Sequence, residues 1–289
     1  MYVLFTDTDC DVTPAIAKEY GYRLISMPYT IGDVTYYPHF SENEPSYKEF
    51  YNTLRKGIVP KTSAINPYEY VNYFEEEFKK GNDILYVHFS KEMSGTFNAL
   101  HIALEELEDK YPERKCYLLD TKSISIASLV AVREIGKMYL EGKSIEDIYA
   151  WADKELQKIS LYFFASDLKF FQKSGRVNGL SAFFGSLIGI HPIIHINSEG
   201  KLVTLTTVRG KHMAIKKVVS FVTEFGEDVK NQKILIGHCD ALEIAEKLGE
   251  VLKEEFGQEL DIEYIPINHT IGSHCGPSTV GVCFKSIPR

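Results

Sequence analysis

Four short segments place hydroxyls, glycines, carboxylates or a histidine where a strand-like apolar run gives way to the next element. α/β proteins build their sites at such places. Asp7-Thr8-Asp9 follows the opening run, and carboxylates there could bind a metal or orient a hydroxyl; alternatively, Asp9 or Asp11 caps a helix beginning near Pro14. Lys61-Thr62-Ser63 precedes Asn66-Pro67, the N-cap and first residue expected of a helix through Phe78. Its two hydroxyls could hold an anionic group, or serve the turn alone. Ser94-Gly95-Thr96 lies between the apolar run 84–89 and a helical stretch carrying Leu100 and Leu104. There a glycine permits close backbone approach, and a helix N-terminus favours an anion.

The fourth segment is Ile271-Gly272-Ser273-His274-Cys275-Gly276-Pro277-Ser278. It reads as a tight loop presenting His274, the most site-like of nine histidines. His88, His191 and His195 sit in apolar runs and read as core or edge residues, and His269 stays open. Ser94, His274 and Asp7 supply the residue types of a hydrolytic triad, but the chain lacks Gly-x-Ser-x-Gly. No His-Glu-x-x-His motif occurs, so no metal is expected.

The elements that must position these segments alternate between β-rich runs and helical periods, the pattern of an α/β protein. Strands are expected at 2–6, 24–28, 84–89 and 116–120, and Ile84-Leu85-Tyr86-Val87 suits a parallel sheet covered on both faces. Tyr70, Val71, Phe74 and Phe78 share one helix face, as do Leu100, Ala103, Leu104 and Leu107. Further helices are expected over 126–140, closed by Gly142, and over 144–159 with Ser144 as N-cap. In the second half, strands are expected at 161–165, 192–196, 202–208, 233–237, 261–266 and 280–284. A hairpin turn falls at Asn197–Gly200, and helices cover 211–225 and 241–256. The expected domains are 1–158 and 159–289.

A chain of 289 residues, 44% apolar, can bury a sizeable core. Its net charge of −8 gives no overall pull toward nucleic acid. No run approaches the roughly 18 apolar residues of a transmembrane helix. The N-terminus reads as a strand and not as a signal peptide. Five scattered cysteines exclude a disulfide scaffold and suit a reducing, cytoplasmic compartment.

The segments resemble, in order, the DegV family of bacterial fatty-acid-binding proteins, some of which present the acid to a kinase. The match runs from Phe5-Thr6-Asp7-Thr8 through Lys61-Thr62-Ser63, Ser94-Gly95-Thr96 and Ser174-Gly175-Arg176-Val177. It continues through Gly189-Ile190-His191-Pro192-Ile193-Ile194 to Gly272-Ser273-His274-Cys275-Gly276-Pro277. The resemblance implies two α/β domains, the first with a parallel sheet and the second with a largely antiparallel one. It implies an apolar tunnel for a fatty acyl chain, with Thr62 and Ser94 hydrogen-bonding the carboxylate and His274 completing the network. Arg176 would lie near the head group or contact the kinase, and Ser63, Gly95, Thr96, Gly272, Ser273 and Asp7 belong to the same loops. Ala182–Gly189 would line the tunnel or form a lid, or else be a plain buried helix. The chain departs from the family pattern at Ala64-Ile65-Asn66, at Ser174, and at Cys275 and Ser278. The expectation is a non-catalytic, monomeric carrier with no cofactor, in transient contact with membranes and partnered by a fatty acid kinase. The alternative is a serine hydrolase of acyl esters with Ser94 as nucleophile. A third reading is a small-molecule sensor that binds no lipid.

Overall fold

The computed structural model describes residues 2–178 and 189–289. The chain divides into two compact units, one of Met1–Glu44 with Pro60–Asp153, the other of Pro45–Val59 with Lys154–Arg289.

The first unit opens with β1 (Tyr2–Asp7), α1 (Pro14–Tyr20), β2 (Tyr22–Ile25) and two short strands, β3 (Tyr29–Ile31) and β4 (Val34–Tyr36). The chain then gives α2 (Tyr47–Arg55) to the second unit. It returns with β5 (Lys61–Thr62), α3 (Pro67–Lys79), β6 (Asp83–His88), α4 (Thr96–Lys110), β7 (Cys116–Asp120), α5 (Ser125–Leu140) and α6 (Ile145–Glu155). Four strands form a parallel sheet in the order β2-β1-β6-β7. Ile84, Leu85, Tyr86 and Val87 are wholly buried, as a strand covered on both faces requires. Strand β2 follows β1 on one side and β6 lies on the other, so the strand order reverses between β1 and β6. The crevice beyond their carboxyl ends is where such sheets bind ligands. A small antiparallel sheet, β4-β3-β5, carries Thr62 opposite Tyr29.

The second unit holds β8 (Ile159–Phe164), α7 (Leu168–Ser174), β9 (Val177–Asn178), β10 (Ile190–Ile196), β11 (Leu202–Arg209), α8 (Lys211–Phe225), β12 (Ile234–His238), α9 (Leu242–Phe256), β13 (Ile262–Pro266), α10 (His269–Cys275) and β14 (Val280–Lys285). Its mixed, mostly antiparallel sheet runs β13-β12-β14-β8-β10-β11-β9. The α/β class and both expected sheet types are therefore found. The run Tyr162-Phe163-Phe164 is core: Tyr162 stacks on Phe221 at 4.8 Å, and Phe163 meets Phe171 at 5.9 Å. The Asn197–Gly200 turn joins β10 to β11, and Asn197 Oδ1 accepts the amides of Glu199 and Lys201.

Several expectations are corrected. Neither Asp9 nor Asp11 caps the helix at Pro14; Thr13 does, its hydroxyl accepting the Ile16 amide at 3.3 Å. Asp9 lies in the 3-10 turn Thr8–Cys10, and Asp11 closes that turn with a left-handed backbone. The helix expected to reach 159 is α-helical only to Glu155 and tightens into a 3-10 turn over Leu156–Lys158. The segment expected as a loop around His274 is a helix, α10. Its side-chain cap is Asn268, whose Oδ1 accepts the Ile271 amide at 3.0 Å, and Gly276 stops the helix at φ 71°. Periodicity does not reveal α2, β3, β4 or α7. The expected tunnel or lid segment Ala182–Gly189 lies outside the described residues, except for Gly189.

Candidate functional site

In the first unit, the reversal between β1 and β6 collects the polar residues that follow the strands. Ser90 caps a 3-10 turn, Lys91–Met93, and accepts the Glu92 amide at 3.3 Å. Ser94 ends the turn, half-buried, and its Oγ accepts the Thr96 amide at 3.2 Å. The Ser94 proton has no acceptor among the described residues, so this hydroxyl is a donor in waiting. Gly95 is the α4 N-cap with ordinary backbone angles, and a Cβ there would meet nothing within 4 Å. A side chain at this position would point into open space.

Thr96 is buried and already engaged. Its Oγ1 accepts the Ile65 amide at 3.2 Å and lies 2.9 Å from the Tyr70 hydroxyl. It thus ties the loop 62–66 to the loop 94–96. In that first loop, Thr62 is half-buried in β5, Ser63 is exposed, and Asn66 caps α3 by accepting the Glu69 amide at 3.0 Å. Thr62, Ser94, Gly95 and Thr96 all belong to these two joined loops of one unit.

Asp7, at the end of β1, is completely buried. Its Oδ2 accepts from the Tyr86 hydroxyl at 3.0 Å and from the Phe89 amide at 3.4 Å, while Oδ1 has no hydrogen-bond partner. Burial pushes its carboxyl up to about 7, although the Tyr86, Phe89, Cys10 and Asp9 groups pull the other way. Cys10 and Asp9 stand close without meeting hydrogen-bond geometry at Oδ1. His88 is no ligand here: its Nδ1 engages the Phe89 carbonyl at 2.7 Å, and burial lowers its pKa.

In the second unit, α7 and α10 pack together and gather the other residues. Gly175 ends α7 in the left-handed region and turns the chain into Arg176. Arg176 is exposed, and it bonds its own turn through the Ser174 carbonyl. Its cation acts on His274, whose pKa is pushed down to about 4, chiefly by burial and secondarily by Arg176. The imidazole is therefore neutral near pH 7, able to donate from one nitrogen and accept at the other. Ser273 donates its hydroxyl to the His269 carbonyl at 2.8 Å, within the helix. Gly272 is a packing glycine: a Cβ would lie 2.3 Å from the Tyr51 hydroxyl of α2. A Cβ on Gly276 would lie 2.2 Å from the Phe170 ring of α7. Among the histidines read as structural, His191 Nδ1 engages the Ala165 carbonyl at 2.9 Å, and His195 stacks on Tyr162 at 5.4 Å. His269 lies 4.4 Å from Phe50, ring on ring.

Sequence reasoning does not find Tyr70 and Tyr86. Both lie in stripes that read as core, and their rings are core; only the hydroxyls carry polar chemistry. A tyrosine in an apolar run is the one signal the sequence offers, because its buried hydroxyl needs a partner.

The family model described as "Uncharacterised protein, DegV family" matches residues 1–286. A DegV domain-containing protein of Clostridium perfringens is 34% identical over 284 residues, covering 98% of this chain and 97% of the relative. Two solved structures share the fold over nearly the full length. A DegV lipid binding protein from Thermotoga maritima superposes with a TM-score of 0.83 at 25% identity, covering 100% of both chains. A fatty acid binding DegV family protein from Streptococcus agalactiae gives 0.84 at 26% identity, covering 99% of both.

Proposed function

This chain belongs to the DegV family, and from that premise we propose that it binds a long-chain fatty acid and presents the carboxylate to a separate fatty acid kinase for acyl phosphate formation. The observation that carries the reading is the full-length likeness to the fatty acid binding protein of Streptococcus agalactiae. The chemistry of the loops supports it. Ser94 offers an uncommitted hydroxyl proton, and the next residue, Gly95, has an open flank. A carboxylate taken from water needs such donors, since burying it without them is prohibitive. Thr62 and Ser63 belong to the same loops, and His274, which burial keeps neutral, is assigned to the head group by the family resemblance. Gly272 and Ser273 build the helix that carries the imidazole, and Arg176 offers its cation to the carboxylate, the kinase or the incoming phosphate.

The acyl tail supplies the affinity. About sixteen carbons buried at ~0.8 kcal/mol per CH₂ give a gross ~12 kcal/mol before ordering costs. On this reading the protein is a non-catalytic, monomeric, cytoplasmic carrier that exchanges its lipid at membranes. Its free cysteines suit a reducing compartment.

The test is mass spectrometry of protein purified without added lipid, first native and then after organic extraction. A stoichiometric adduct that extracts as a free fatty acid is expected, and Ser94→Ala and His274→Ala should each reduce retention. Undiminished occupancy in both variants would sink the head-group assignment. Labelling of the wild type by a fluorophosphonate, lost in Ser94→Ala, would favour an acyl-ester hydrolase instead.

A further inference from the structure

Helix α10 carries His274 but is too short to fix it. We infer that Tyr51 of α2 is a positioning residue for His274: its hydroxyl pins the start of α10 and its ring sets the depth at which the helix lies, so that the imidazole reaches the bound carboxylate. This rests on the fatty acid reading above.

A helix of seven residues has no stability of its own in water. Its place is set by what it lies on, and α10 lies on α2 and α7. Ile267, the residue before the Asn268 cap, is held at both ends of its backbone. Its amide donates to the His238 carbonyl, at the end of β12, at 3.0 Å, and its carbonyl accepts the Tyr51 hydroxyl at 3.1 Å. The His238 carbonyl also accepts the Tyr47 hydroxyl at 2.7 Å, and the Tyr47 oxygen accepts the Asp240 amide at 2.8 Å. Arg55 pairs with the Asp240 carboxylate and donates to its carbonyl at 3.0 Å. Tyr47, Tyr51 and Arg55 follow one another at four-residue steps and so share one face of α2. That face is bonded both to the end of β12 and to the entry of α10.

The rings fix the depth. A Cβ on Gly272 would lie 2.3 Å from the Tyr51 hydroxyl, so the glycine sits directly on that side chain. His269, three residues earlier, stacks on Phe50 at 4.4 Å and lies 6.2 Å from the Tyr47 ring. At the far end Gly276 packs on Phe170 of α7, and the Thr279 hydroxyl donates to the Cys275 carbonyl at 2.9 Å. His274 is two residues past Gly272, which at 3.6 residues per turn places it about 200° round the helix, on the side away from Tyr51. So short a helix moves as one body, and a shift on the Tyr51 side is carried in full to the imidazole. A displacement of about 1 Å takes a hydrogen bond out of its working range. Tyr51 is wholly buried, so it acts on the ligand through α10.

The experiment uses the full chain, with oleate, palmitate and uncharged oleyl alcohol as probes. It compares the wild type with Tyr51→Phe, His274→Gln and the double variant. Tyr51→Phe keeps the ring and removes the bond to Ile267. One charge-assisted hydrogen bond corresponds to roughly tenfold in affinity. Oleate is expected to bind about tenfold more weakly to His274→Gln and about fivefold more weakly to Tyr51→Phe. The double variant should bind it no more weakly than His274→Gln alone, because the group being positioned is already gone. Oleyl alcohol, which carries no charge for the imidazole to meet, should change by less than about twofold in Tyr51→Phe. A merely structural role would weaken both probes alike and would add to the His274 loss. Oleate affinity unchanged by Tyr51→Phe, equal losses for oleate and the alcohol, or additive losses in the double variant overturn the positioning role and leave the carrier reading intact. Unchanged oleate affinity in His274→Gln overturns it as well, since there is then no contact to position. Failure of both oleate and palmitate to bind the wild type overturns the carrier reading and the positioning role together.

Discussion

Replacing Gly272 with alanine should cost the second unit about 2–3 kcal/mol, and the contacts around it allow the figure to be worked. The added Cβ would lie 2.3 Å from the Tyr51 hydroxyl oxygen, 2.9 Å from Tyr51 Cζ and 3.1 Å from Phe50 Cε1. Ordinary contact begins at 3.4 Å, so the hydroxyl must retreat by about 1 Å, the difference between 3.4 and 2.3. Tyr51 and Phe50 are wholly buried and have little room to retreat. The Tyr51 hydroxyl also donates to the Ile267 carbonyl at 3.1 Å, and that bond would be lost. Overpacking costs ~1–3 kcal/mol and the lost hydrogen bond ~1 kcal/mol. The helix preference for alanine returns ~0.5–1 kcal/mol. Urea unfolding read by far-UV circular dichroism is the assay, because the single tryptophan, Trp151, lies in α6 of the first unit. Tyr51→Phe removes the nearest clashing atom. The double variant should therefore be about 1 kcal/mol more stable than the sum of the single losses predicts. Wild-type stability in Gly272→Ala, or strict additivity in the double variant, would refute the claim that this glycine exists to seat α10 on α2.

Four further outcomes are expected. Gly276→Ala meets both the Phe170 ring at 2.2 Å and a φ of 71°, so it should destabilise by about 3 kcal/mol in the same assay. Asn66→Ala removes the cap on the Glu69 amide and should cost about 1 kcal/mol, read by Trp151 fluorescence during urea unfolding. Arg176→Gln should raise the His274 midpoint from about 4, leaving it below the ordinary 6.5 because burial is the larger cause; ring-proton NMR measures this. The depressed His274 value carries a sign for stability. The folded state favours the neutral ring, so this contribution is present above pH 6.5 and is lost as pH falls to about 4. His195, also near 4, acts in the same direction, so His274→Asn should remove only part of the acid sensitivity.

Much of the scaffold is legible in the sequence because its signals are local. The cap at Asn66, the span 211–225 and the turn at 197–200 depend on neighbours within a few residues, and the unbroken apolar run at 84–87 marks a strand that is buried. Periodicity and side-chain caps report such contacts directly. The hydroxyl loops are legible for the same reason, as strand ends followed by Thr62-Ser63 and Ser94-Gly95-Thr96. The short elements are not. Helix α10 has seven residues, too few for a helical period to show, and its glycines read as loop residues. Helix α2 escapes the periodicity reading as well, although its stretch is rich in aromatic residues.

Residue order alone sets the alternation of strands and helices, the two sheet types and the residues able to bind an anion. Which of those residues can still do so is settled by packing between distant segments. Thr96 and Ser94 are both hydroxyls before one helix, yet Thr96 is committed to Ile65 and Tyr70 while Ser94 keeps its proton. Gly272 and Gly95 look alike in the chain, yet one is filled by Tyr51 and the other faces open space. Asp7 becomes a buried group that titrates near neutrality only when β6 and the turn after β1 close around it. In each case the deciding partner is distant in sequence, and a desolvated polar group takes its properties from the atoms that replace water.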